Sequence, residues 1–571
     1  MKSVVKIREG TGRSGDAGYS SYPLNNMNKF KIVFVCICMI FAATAQAQST
    51  LAPHLQKHGT ATQLVVEGKP FLILGGELAN SSASSLEYMK PIWKDLASQG
   101  LNTVLAPISW ELLEPREGEY DFALVDGLIE DAQKHNLKLV FLWFGSWKNT
   151  YSSYVPEWVK RDTKRFPRVM MKNGLPTERL TPLSASNRDA DAKAYKALMK
   201  RIKDIDSKHT VLMMQVENEI GVIPDSRDFS ESANVAFNAD VPGELIGHLL
   251  KNSDKLSPEL HQAWVSTGKK TSGSWKEVFG SEPITDDFFM AWHYAKYLDV
   301  IVDAGKAEYD IPMFTNAALI RPNYQPGQYN SGGPLPHSID IYRAGAPKLD
   351  FIAPDIYFTN FAYWAGRYQS EGNPVFVPET YGGEAGAANA YYAFGQLNAI
   401  GFSPFGIDGR YLPPAPSGPA SNPLATAYST LAHLAPAILE KQGTDKIAGI
   451  VLEGSEQRSG KISFGGYDIS VNWAGGAATG AADFNRRIGV LFIQTGEDEF
   501  LIAGSGSATL SFASSAVSRQ TTGIASIDEE ILTEGKWIWM RRLNGDENGQ
   551  GQVLRLSSDR AAVYKVKLYK Y

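Results

Sequence analysis

Cysteine is almost absent from this 571-residue chain. The only two, Cys36 and Cys38, lie close together near the N-terminus, which excludes a disulfide framework and a cysteine-based structural zinc site. An excess of positive charge is missing as well. The 56 Lys and Arg stand against 61 Asp and Glu, for a net charge of −5, so a generally polybasic nucleic-acid binder is excluded. Among the histidines, His135, His209, His248, His261 and His293 fall in or beside helical patterns without ligand spacing, and no metal is implied. There is no Gly-x-Ser-x-Gly elbow and no Walker loop, which argues against serine hydrolase and nucleotide chemistry. What remains is a globular composition, 43% hydrophobic and 20% charged, with 11% aromatic residues and ample length for a large core.

The first 26 residues are polar and patternless. From Met27 the chain reads MNKFKIVFVCICMIFAATAQAQ, with Lys29 and Lys31 ahead of the apolar run Ile32–Ala43 and a small-x-small triplet at Ala45–Ala47. This is the pattern of a secretory signal peptide cleaved after Ala47, with Met27 the expected start. The run is about half the ~20 residues of a membrane span, so the other reading, an uncleaved anchor, is the weaker one. Val35 and Ile37 precede the cysteines where a lipoprotein signal wants a small residue. Residues 1–47 carry six positive and two negative side chains, which leaves −9 for residues 48–571. An exported, cysteine-free protein of a bacterial periplasm, envelope or extracellular space is expected, with no membrane span after the leader.

Across the expected catalytic domain, residues 48–441, short apolar runs alternate with helical patterns. The runs are Phe71–Gly75, Thr103–Ile108, Leu139–Phe144, Thr210–Val216, Met313–Asn316, Phe351–Ile356, Val375–Pro378 and Gly401–Phe405. Eight such runs with periodic helices between them predict an α/β fold of the closed (β/α)8 TIM-barrel type. An open doubly wound sheet would need a glycine-rich phosphate turn after its first strand, and Leu74-Gly-Gly-Glu77 leads into Asn80-Ser-Ser82 instead. The long link from Gly221 to Asp310 is expected to wall part of the mouth, and the Pro413–Pro423 stretch to form a loop over it. After Gln442 the period falls to two in Lys461–Phe464, Tyr467–Trp473, Lys536–Met540 and Tyr564–Leu568, so residues 442–571 predict a β-sandwich-like domain.

In such a barrel the chemistry sits where strands end. The fourth run ends in Glu217-Asn-Glu219 and the seventh in Glu379. Two carboxylates facing each other at about 5–5.5 Å would serve a retaining glycosidase, one as acid/base and one as nucleophile. Each raises the other's pKa, which keeps the acid protonated near neutrality. An Asn just before the acid/base suits a sugar 2-hydroxyl.

These residues carry a resemblance. Gln215-Val-Glu-Asn-Glu-Ile-Gly221 is similar to the Gln-Val-Glu-Asn-Glu-Tyr-Gly motif of family 35 β-galactosidases, in clan A of the glycoside hydrolases. Trp110-Glu-Leu-Leu-Glu-Pro115 with Gly118-Glu-Tyr-Asp-Phe122 resembles that family's block after strand two. The resemblance implies Glu219 as acid/base, Glu379 as nucleophile, Asn218 as the 2-hydroxyl ligand and a place for Trp110 at the sugar. The family's Ala-Glu pair after strand three has no counterpart in Phe144-Gly-Ser-Trp147-Lys-Asn149, although Asn149 stands where it could substitute, so the chain resembles a divergent bacterial subgroup.

The other candidates stay open. Trp147 and Trp143 stack on a sugar face or pack in the core. Tyr357 and Tyr381 follow strands six and seven, and Tyr381 either orients the nucleophile or does not. Glu77 binds a sugar hydroxyl or pairs with a mouth residue, with Asp408 and Arg410 nearby. Glu217, two residues before Glu219, points to the same side by strand alternation, in a functional or a structural role. In the β domain Trp473, Trp537 and Trp539 could meet a glycan. The expected activity is retaining, exo-acting hydrolysis of terminal β-D-galactosyl residues of plant polysaccharide side chains or oligosaccharides. The alternatives are the same mechanism on an α-L-arabinoside or another glycoside, and a non-catalytic carbohydrate-binding barrel. The expected partner is a carbohydrate substrate, with no nucleic acid, no cofactor and no metal.

Overall fold

Eight parallel strands account for the alternating pattern of the first two thirds of the chain. The computed structural model describes residues 51–571 apart from 370–372, 410–421, 455, 475–485, 516–519, 534–535 and 558–561. The leader expected over 1–47, with both cysteines, lies outside the described residues, as do Arg410 and most of the 413–423 loop. No helix among the described residues is long and apolar enough to cross a membrane.

The barrel strands are β1 (Ile73–Glu77), β2 (Thr103–Ser109), β3 (Lys138–Lys148), β4 (Val211–Asn218), β5 (Met313–Ala318), β6 (Phe351–Ile356), β7 and β8 (Gly401–Phe402). β7 is split. Phe376–Val377 pairs with β8 and Glu379–Thr380 pairs with β6. Pro378 between them has no N–H to give to a ladder. With β8 paired to β1 the ring closes, and the expected (β/α)8 class is observed. Ile73, Leu105, Val140, Leu142, Phe144, Phe314, Phe351 and Phe376 fill the interior together with Leu64 and Val66. The last two come from Ala61–Val66, the middle strand of a small antiparallel sheet that precedes the barrel.

The helices that matter to the site are α1 (Ala185–Ile205), α2 (Ile284–Glu308), α3 (Phe361–Tyr368), α4 (Gly383–Gln396) and α5 (Pro423–Lys441). The insertion after β4 carries four short helices between Glu231 and Phe279. Its first residues pair with the segment after β5 through Val222 and Ser331.

The C-terminal strands are β9 (Ile447–Leu452), β10 (Ser459–Phe464), β11 (Tyr467–Trp473), β12 (Ile488–Gln494), β13 (Glu499–Ser505), β14 (Ala508–Ser514), β15 (Thr522–Thr533), β16 (Lys536–Leu543), β17 (Val553–Leu556) and β18 (Val563–Lys570). They form two antiparallel sheets, of order β9-β12-β13-β18-β15-β16 and β10-β11-β14-β17. Val490, Phe492 and Ile502 of the larger sheet face a core shared with Ile469, Val471 and Leu510 of the smaller. The alternate residues Leu491, Ile493 and Leu501 join the core of the barrel's helical layer. β12 and β13 of the larger sheet are thus buried on both faces.

Candidate active site

β4 is buried along its whole length and turns sharply at its end. Glu217 has φ +62° and Glu219 φ +45°, a left-handed conformation that is uncommon without glycine. The strand's two-residue alternation therefore fails here, and Glu217 and Glu219 diverge, against the expectation that they share a side. The Glu217 carboxylate accepts the backbone N–H groups of Ser146 (3.0 Å) and Trp147 (2.7 Å) at the end of β3. Behind it Asp191 of α1 accepts from Trp143 Nε1 (2.9 Å) and from the Ser146 hydroxyl (2.6 Å). Burial, then the Asp191 charge beside it, pushes the Glu217 carboxyl well above its ordinary range. Glu217 belongs to a buried support.

Glu219 turns into the mouth. Its backbone N–H donates to Asn316 Oδ1 (2.9 Å), its carbonyl accepts from Asn330 Nδ2 (2.9 Å), and its Oε2 accepts from Asn149 Nδ2 (2.6 Å). One carboxylate oxygen each from Glu219, Asp355 and Glu379 lie within 4.8 Å of one another. Asp355, one residue before the end of β6, accepts from Asn316 Nδ2 at 2.6 Å. Glu379 accepts the Tyr357 hydroxyl at 2.6 Å on Oε1.

Burial first, and the Glu379 charge second, raise Glu219 to about 7, while Lys148 works in the opposite direction. Asp355 is held well above its ordinary range by burial and then by Glu379 and Glu219. Glu77, at the end of β1, is raised by burial and then by Glu379. Burial opposes the charge of Lys148, and the attraction of Glu379, Glu219 and Glu77 outweighs it, so this ammonium stays charged. The arrangement is four carboxyls around one buried cation. Glu219, Asp355 and Glu379 are the group among the described residues that could hold a metal ion, and Lys148 already supplies positive charge beside them.

Several buried polar atoms have no partner among the described residues: both amide atoms of Asn218, Oε2 of Glu379 and Oε1 of Glu77. Unpaired buried polar groups are costly, and a polyhydroxylated ligand would satisfy them.

The remaining candidates separate. Trp110 is fully buried, donates to Glu114 Oε2 (2.7 Å) and meets Trp158 edge-on. Trp147 is also fully buried, donates to the Leu180 carbonyl (3.1 Å) and packs on Tyr294 and Tyr297. Both rings belong to the core, where the sequence had suggested a sugar pocket. β3 runs on to Lys148, beyond the apolar run Leu139–Phe144, so Trp147 still lies within the strand. Tyr381 is exposed and stands edge-on to Tyr357 at 4.9 Å. Asp408 takes a hydrogen bond from Ser82. Trp473 donates to the Gln457 carbonyl (3.0 Å) and Trp539 to Asp528 Oδ1 (2.9 Å); the side chain of Trp537 lies outside the described ones. Sequence reasoning missed Lys148, Asp191, Asn316, Asn330 and Asp355. Only Asp355 carried a signal, as a carboxylate that closes an apolar run.

Residues 84–364 match the family model of glycoside hydrolase family 42, described as β-galactosidase. The barrel resembles family 42. Over these residues the chain is similar to β-galactosidase-type glycoside hydrolases. Residues 424–555 match a second model, a domain of unknown function, DUF5597. The β-galactosidase LacZ of Lactobacillus acidophilus is 25% identical over 175 residues, which cover 30% of this chain and 23% of that protein. The chain thus aligns with about a quarter of the length of the curated relatives it matches. Among solved structures, the β-galactosidase of psychrophilic Marinomonas ef1 aligns at 13% identity and TM-score 0.44, covering 65% of this chain and 61% of that one. That of Bacillus circulans sp. alkalophilus aligns at 15% and 0.43, covering 65% and 57%.

The match to family 42 overturns the family 35 resemblance. The two blocks that carried it, 110–122 and 215–221, are short, and part of each serves local structure: Trp110, Glu114 and Glu217 are buried supports. Such blocks point to a type of chemistry more readily than to one family. The family 42 match extends over the long stretch around them.

Proposed function

We propose that this protein is a retaining, exo-acting β-galactosidase that removes terminal β-D-galactosyl residues from plant polysaccharide side chains or oligosaccharides. The observation that carries the mechanism is the spacing within 4.8 Å of oxygens from Glu219, Asp355 and Glu379. Oxygens this close agree better with the ~5–5.5 Å between the carboxyls of a double displacement than with the about 6.5–9.5 Å of inverting enzymes.

The free Oε2 of Glu379 attacks the anomeric carbon while Glu219 gives its proton to the departing glycosidic oxygen. The C–O bond to the leaving group breaks as the bond to Glu379 forms. Glu219, now a carboxylate, takes a proton from a water that attacks the same carbon and frees Glu379. Lys148 offsets the charge of the clustered carboxyls throughout, and Asn218 receives the sugar 2-hydroxyl. The leader-like segment 27–47 supports action outside the cytoplasm, in the periplasm or at the envelope of a bacterium.

A panel of aryl glycosides tests the sugar. Turnover of the β-D-galactoside above the others is expected, and turnover of the α-L-arabinoside alone would replace the substrate while keeping the mechanism. Glu379→Gly should lose nearly all activity and regain part of it with azide, giving an α-glycosyl azide. Undiminished activity in that variant would remove Glu379 from its role.

A further inference from the structure

The C-terminal domain, which matches a family of unknown function over residues 424–555, has no part in the chemistry above. Its contact with the barrel nevertheless falls on the helices that flank the nucleophile's strand. α4 starts at Gly383, just after Glu379–Thr380, and both β9 and β12 pack on it. Ten of its 14 residues are buried, as expected for a helix covered on every side. The approach is close enough that a Cβ on Gly489 of β12 would lie 1.9 Å from the Ala388 carbonyl oxygen.

At the edge of this contact lies Arg487, one residue before β12 and buried. Its guanidinium donates to Asn389 Oδ1 in α4 (3.0 Å) and to the Thr359 carbonyl (2.8 Å). Glu453, just after β9, is 3.5 Å from the same guanidinium. Glu453 also accepts the Ala362 N–H in the first turn of α3 at 2.8 Å. Thr359 is two residues from Tyr357, whose hydroxyl is bonded to Glu379. A planar fork on Arg487 therefore joins the turn that carries Tyr357 to the helix that follows Glu379. Arginine suits such a bridge because its donors are fixed in one plane.

We propose that Arg487, with Glu453, is a positioning residue for the nucleophile, through which the C-terminal domain keeps Tyr357 in place on Glu379. This rests on the glycosidase reading for its catalytic consequence and on geometry alone for its structural one. Misplacement of a reacting group by about 1 Å can cost 10²-fold.

The test uses the full chain and an aryl β-galactoside. Arg487→Met should lower kcat about 10- to 100-fold with KM within about twofold, and Arg487→Lys should recover part of the loss. In a Tyr357→Phe background the same Arg487→Met change should cost less than about threefold, because coupled residues are non-additive. An equal loss in both backgrounds, or a folded Arg487→Met protein with the original kcat, overturns the proposal. Glu453→Gln keeps an acceptor for Ala362 and removes the charge facing Arg487, and serves if Arg487→Met does not fold. Its kcat should fall about threefold to tenfold, again only with Tyr357 present, and an unchanged kcat refutes the proposal. Backbone hydrogen exchange over residues 357–362 supplies a readout without substrate. It should quicken in Arg487→Lys and Glu453→Gln, and unchanged protection overturns the proposal. A wild-type chain inactive on every glycoside would defeat the glycosidase reading, while the exchange result would still decide the positioning.

Discussion

Tyr357 donates its phenolic hydrogen to Oε1 of Glu379 at 2.6 Å, and Oε2 of the same carboxylate has no partner among the described residues. One oxygen is held and the other is left to react. Tyr357→Phe should therefore leave a nucleophile that is present but loosely aimed. Its kcat is expected to fall about 10- to 100-fold with a smaller change in KM, as measured by steady-state kinetics on an activated aryl glycoside.

In its proposed role as the acid Glu219 must be protonated, and its carboxyl is raised to about 7 by burial and then by Glu379. Profiles of kcat/KM against pH should fall on the alkaline side with an apparent pKa near 7. Lys148 lowers that value, so Lys148→Met should move the alkaline limb to higher pH even as the maximum drops. A shift to lower pH would contradict the charge balance described above.

Asp191 and Glu217 hold protons above their ordinary values of 3.8 and 4.5, through burial in both cases and, for Glu217, the Asp191 charge next. Folding thus takes up a proton that the unfolded chain has released above about pH 4.5. The contribution to stability is full below that pH and declines as pH rises toward the raised folded values. Glu217→Gln replaces the protonated acid by a neutral amide. Stability of this variant should vary less with pH between about 5 and 8, by up to about 1.4 kcal/mol per pH unit, measured by urea unfolding across that range.

Gly145 faces the same support. A Cβ there would lie 2.3 Å from Trp143 Nε1 and 2.6 Å from Glu217 Oε1. Gly145→Ala should cost about 1–3 kcal/mol of stability and should also lower kcat/KM, since Lys148 and Asn149 follow directly on the same stretch. Urea unfolding together with kinetics on the residual folded protein measures both.

Much of the barrel was legible because its strands are short apolar runs between amphipathic helices, and that pattern depends on local sequence alone. The strand-end carboxylates Glu219 and Glu379 stood out for the same reason, as polar groups closing runs that should be buried. Other features are not local. β12, Ile488-Gly-Val-Leu-Phe-Ile-Gln494, shows no alternation because Leu491 and Val490 are both buried, against different layers. Lys148 reads as an ordinary surface lysine until β3 is seen to extend past Trp147. The divergence of Glu217 and Glu219 depends on two backbone angles that no side-chain period records. Trp147 illustrates the opposite error, since an indole near a strand end suits a sugar face or a core equally well, and only its neighbours Tyr294 and Tyr297 decide.

The seventh strand is the one stave of the ring made of two pieces, each joined to its neighbour over only two residue pairs. Glu379, the proposed nucleophile, is the first residue of the second piece. The break in the ring and the carboxylate proposed to attack are therefore the same place. When the protein is warmed, a local opening at this break displaces Glu379 directly. Turnover should fail a few degrees before helical content does, which makes catalysis the earlier gauge of whether the barrel is shut.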